Sequence, residues 1–70
     1  MDGYEMLAAA VVERAVLDYK EALENIQRKY NVLEAQNVIR NLERFFRSEW
    51  FSILSDLDGE MLVQQLRTVV

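Results

Sequence analysis

Phe45-Phe46-Arg47-Ser48-Glu49-Trp50-Phe51 holds four of the chain's seven aromatic residues. Large rings carry the most apolar surface per residue and dominate the cores of small domains, so this stretch marks where the core should lie. The residues before it read as helix built to cover the cluster. Those after it read as a short helical cap. Ser48, inside the stretch, is suited to ending one helix and N-capping the next. The expected fold is all-α: a long N-terminal helix packed on a second helix and closed by two short C-terminal helices. A single domain spans residues 1–70.

Working outward, Ala8, Val12, Ala15, Tyr19, Ala22 and Ile26 recur at alternating steps of four and three, a helical seam. Leu23 and Tyr30 widen it, and its alanines invite close approach by a neighbouring helix. Asp2-Gly3-Tyr4-Glu5 has the spacing of a capping box. Glu24 and Arg28 stand at i,i+4 in the favourable order on the outer face. Asn31-Val32-Leu33-Glu34 repeats the capping spacing, which predicts a break near Tyr30–Asn31 and a second helix from Val32. One unbroken helix over 3–47 would run about 68 Å, hard to pack in a lone small domain. The second helix is expected to bury Ala35, Val38, Ile39, Leu42, Phe45 and Phe46, and the third to carry Trp50, Phe51, Ile53 and Leu54. Ser55-Asp56-Leu57-Asp58-Gly59 is turn chemistry. Asp58 should N-cap the last helix, whose buried face is Met61, Leu62, Val63 and Leu66. Val69-Val70 ends the chain apolar.

Seventy residues make a marginal core, and with no Cys and no His neither disulfides nor the usual zinc ligands can reinforce it. Oligomerisation or very good helix packing remains, and 51% apolar content suits either. Met6 to Val12 is apolar all the way round, so one partner helix cannot cover it. A homo-oligomer interface is expected at Met6, Leu7, Ala10 and Val11, the alternative being cover by the chain's own C-terminal residues. A net charge of -4 argues against general nucleic-acid binding. No apolar run is long enough to span a membrane, and Asp2 and Glu5 stand where a signal peptide would carry positive charge. A cytoplasmic protein is expected.

Without Cys or His there is no thiol nucleophile, imidazole base or Ser–His pair, so the expectation is no enzyme and no cofactor. Asp18, Glu21 and Glu24 pair at helical spacing and read as a solvated face. A calcium loop fails around Gly59, because Leu54 and Gln65 stand where acids are needed. Arg40, Arg44 and Arg47, at i, i+4 and i+7, are the more informative set. With Ser48 and Trp50 they have the ingredients of an anion or nucleotide site: guanidinium forks, a hydroxyl and a ring for stacking. The simpler reading of the same residues is a solvated face over an aromatic core, and a protein-binding surface comes next, ahead of the nucleotide site. A helix-turn-helix is weaker still, since the last helix offers one arginine, Arg67.

The run Phe45–Phe51, continued by Leu54, Leu57-Asp58-Gly59-Glu60 and Leu66-Arg67, resembles a family of small helical proteins of Gram-positive (Firmicutes-type) prophages and integrative elements. The Ala/Val-rich opening, with Tyr19 on its seam, is similar too, whereas Arg28 to Glu34 matches less well. The resemblance implies a mobile-element setting in a bacterial host cell, without supplying an activity. The function expected is a non-enzymatic binding module acting on a host protein as inhibitor or adaptor, including counter-defence. The alternative is an oligomeric sponge for an anionic nucleotide.

Overall fold

The alanine-rich seam of the N-terminal helix and the ring cluster meet as the spacing predicts. The computed structural model describes residues 3–68, the side chains of Tyr4 and Glu5 excepted. The expected capping box of Asp2 and Glu5, and the apolar end Val69-Val70, lie outside the described residues. Four helices follow in order: α1 Gly3–Gln27, α2 Val32–Phe46, α3 Glu49–Leu54 and α4 Gly59–Thr68. No strand occurs among the described residues.

Ala8, Ala15, Tyr19 and Ala22 of α1 are buried, with Val12 and Ile26 half-buried on the same face. α2 returns antiparallel along this seam. Ala35 is buried and lines the same groove as Ala22 near the turn, and small side chains at both positions let the helices approach closely. Farther along, Tyr19 stacks at a tilt on Phe46, ring centroids 6.3 Å apart. Phe51 meets Phe46 edge-on at 5.5 Å and Phe45 edge-on at 5.7 Å, geometries that suit the ring quadrupoles. Val63 and Leu66 of α4 close the cluster.

The break falls where the repeated capping spacing put it, by different chemistry. Lys29 adopts the left-handed conformation (φ 58°). The Tyr30 N–H donates to the Asn25 carbonyl at 2.8 Å and the Lys29 N–H to that of Ile26 at 3.0 Å. That is a Schellman stop, with lysine where glycine is usual. Asn31 is also left-handed (φ 48°) and its side chain makes no cap. Tyr30, expected on the seam, is exposed because it lies beyond the stop.

The other two caps form as expected. Ser48 Oγ accepts from the Phe51 N–H at 3.2 Å, starting α3. Asp58 Oδ1 accepts from the N–H groups of Glu60 and Met61, starting α4. Several apolar residues expected inside are not. Trp50 and Ile53 are 61% and 63% exposed, and Met61 is exposed as well. A six-residue helix presents only one side inward, and Ser48 orients that side through Phe51. Trp50, one position earlier, is turned about 100° away.

Candidate functional site

Glu43 is the electrostatic centre of the molecule. It stands on α2 where α1 and α4 converge, with its side chain only 14% exposed. Tyr19 Oη donates to its Oε2 at 2.7 Å. Arg67 of α4 donates through Nε at 3.0 Å and Nη2 at 2.9 Å, a two-pronged grip on the carboxylate. The Arg67 grip holds the Glu43 carboxyl below its ordinary range, against burial, which acts the other way. Burial first, then the bond to Glu43, pushes the Tyr19 phenol up. Among the described residues no buried side-chain polar atom lacks a partner.

Arg47 stands one turn beyond Glu43 and is taken up by α4. Its Nε and Nη2 donate to Glu60 at 2.7 and 3.3 Å, while its Nη1 stays 4.0 Å from Glu43. The bond to Glu60 raises the Arg47 pKa and lowers that of Glu60.

The residues singled out as an anion site come together in part. Arg40, Arg44, Arg47 and Ser48 line one open concavity of about 490 Å³, with Glu43 among them. Trp50 is not in its lining. The one hydroxyl proton of Ser48 goes to the Phe45 carbonyl at 2.6 Å, leaving none for a ligand. Arg40 and Arg44 are exposed and make no ion pair with the described residues. The concavity therefore offers two uncommitted guanidinium groups beside a carboxylate, a weak attraction for an anion.

The apolar surface is more pronounced. Leu7 is 66% exposed and Val11 40%, with Met6 and Ala10 also open. Two grooves flank this half of α1. One, about 470 Å³, is lined by Ala10, Val11, Ala15, Leu42 and Phe45, with Arg14 and Asp18 completing it. The other, about 600 Å³, is lined by Ala8, Ala9 and Val12 against Ile53, Leu54 and Leu57, with Glu13, Ser55 and Asp56 completing it. Trp50 and Ile53, at i,i+3, extend an apolar face along α3. Leu57 escaped the sequence reading because it stands among turn formers. Its signal was an apolar residue between Asp56 and Asp58, where a solvated turn would be polar. The partners of Tyr19 were missed as well, although a tyrosine in an alanine seam implies a buried hydroxyl needing an acceptor.

No protein-family model, curated protein or solved structure matches this chain. Among the described residues no helix is long and apolar enough to cross a membrane.

Proposed function

We propose that this chain is a non-enzymatic helical binding module that assembles as a homo-oligomer. Of mobile-element origin, it acts in the bacterial cytoplasm as an inhibitor or adaptor towards a host protein, with counter-defence as one such role. The observation that carries the reading is the outward apolar face of α3. Trp50 and Ile53 lie open on α3, Ile53 lining a groove continued by Leu57, although Phe51 of the same helix is buried in the core with Phe46 and Val63. Tryptophan is the residue type most enriched among binding hot spots, and adjacent aliphatic surface excludes water around it. The acidic balance of the chain adds a preference for partners with a basic rim.

The test is affinity capture from host lysate with the parent chain and with the double variant Trp50→Ala/Ile53→Ser. A partner retained in stoichiometric amount by the parent should be lost by the variant, and the purified pair should show the same difference in Kd. Equal capture by both chains would refute the assignment to α3.

The nucleotide-sponge reading keeps one supporting observation, the shared concavity of Arg40, Arg44, Arg47 and Ser48. It requires Arg47 to leave Glu60. A melting shift with cyclic dinucleotides that Arg44→Glu removes would favour it. The helix-turn-helix reading has less support, since Arg67 is committed to Glu43.

A further inference from the structure

The first half of α1 carries a protruding leucine and a shallow apolar groove on the same face. Leu7, Val11, Arg14 and Asp18, at i, i+4, i+7 and i+11, form one stripe of the helix. Leu7 protrudes from the stripe, 66% exposed. One to two turns farther along lies the groove of Val11, Ala15, Leu42 and Phe45. α2 ends at Phe46, so it provides no further turn to cover Leu7. An isologous interface needs this arrangement, because one patch must supply both the protruding and the receiving element.

We propose that two copies pair about a twofold axis beside Val11, with their α1 helices antiparallel, each seating Leu7 in the groove of the other. This rests on the self-association proposed above and specifies its symmetry and contacts. Antiparallel pairing about Val11 sets Leu7 level with Ala15 of the second copy, a small residue where a leucine fits against Leu42 and Phe45. Charge favours the same occupant. Two chains of net charge -4 repel wherever their carboxylates face each other. This stripe carries only Arg14 and Asp18, which neutralise each other at 3.2 Å. Residues 6 to 12 carry no charge at all. Met6, Leu7, Val11 and the groove walls form one contiguous exposed apolar surface at this end of the molecule.

The chain has no cysteine, so one introduced thiol reports on one position. Sedimentation equilibrium is expected to give a dimer. Mild oxidation of Val11→Cys should convert it almost completely to a disulfide-linked dimer, since a residue at a twofold axis meets itself. Leu33→Cys, exposed on α2, should remain unlinked under the same conditions. Leu7→Glu should yield a monomer with unchanged helical circular dichroism, because that side chain is open within the protomer. A dimer that cross-links through Ile53→Cys and not Val11→Cys would overturn the arrangement and leave self-association standing. A chain that sediments as a monomer at high micromolar concentration would overturn both.

Discussion

Replacing Gly59 by alanine sets two physical effects against each other, and the structure decides the sign. Within a helix, Gly→Ala ordinarily stabilises by about 0.5–1 kcal/mol, because glycine loses more backbone freedom on folding. Gly59 opens α4, and a Cβ there would lie 1.7 Å from the carbonyl oxygen of Phe46 and 3.3 Å from the Phe51 ring. Contacts below 3.0 Å are essentially not found for real Cβ atoms, so the first of these has to open by at least 1.3 Å. The obstacle is backbone at the end of α2, which has no rotamer to change. α4 must therefore move outward, and it carries Val63, fully buried, and Leu66, 4% exposed. Overpacking costs ~1–3 kcal/mol where neighbours can adjust. Complete undocking of Val63 and Leu66 would forfeit ~1.5–3 kcal/mol for each. A loss of about 3 kcal/mol is expected, which lowers Tm by roughly 12–24 °C in a domain of this size. Thermal and urea melts followed by circular dichroism measure it. Gly3→Ala is the internal control, since nothing lies within 4 Å of a Cβ there. It should be neutral or slightly stabilising. A Gly59→Ala chain that melts at or above the parent temperature would refute the close approach of α4 to α2.

Trp50 and Phe51 are neighbours in sequence with opposite exposure. Phe51→Ala should cost ~3–5 kcal/mol, whereas Trp50→Ala should stay within about 1 kcal/mol as a surface change; urea midpoints at constant m-value compare them. Glu43, with its folded pKa below the ordinary 4.5, contributes stability that is present above that pH and is lost as pH falls through the folded value. Tyr19, raised above 10.0, contributes stability that is present below pH 10 and is lost as pH rises through its higher folded value. In Tm plotted against pH, Glu43→Gln should flatten the acid limb and Tyr19→Phe the alkaline limb; variant curves parallel to the parent's would contradict the network.

What could be read in advance followed from periodicity. The seam from Ala8 to Ile26 repeats often enough to fix its face, and Ser48 and Asp58 cap because an oxygen two or three residues ahead of free N–H groups has little alternative. The short helices were harder. In α3 a single turn and a half allows Trp50, Phe51, Ile53 and Leu54 all to look buried, and only the angle set at Ser48 turns Phe51 inward. The arginine stripe was legible as spacing but not as chemistry. Local sequence shows that Arg40, Arg44 and Arg47 share a face. It does not show that Glu60, thirteen residues beyond Arg47, takes up that fork, or that Arg67 reaches back to Glu43.

Tyr19, Glu43 and Arg67 stand 24 residues apart in each step, on three different helices. Their interaction energies do not add independently, since removing one leaves the others with an unsatisfied group. Substitutions at the three positions are therefore expected to occur together. A lineage that loses Arg67 gains little by keeping the charge of Glu43, and the bare Tyr19 hydroxyl then becomes a burden. Homologous chains should carry either this whole triad or an apolar set filling the same space, with half-converted combinations rare. The three positions would behave as one inherited character.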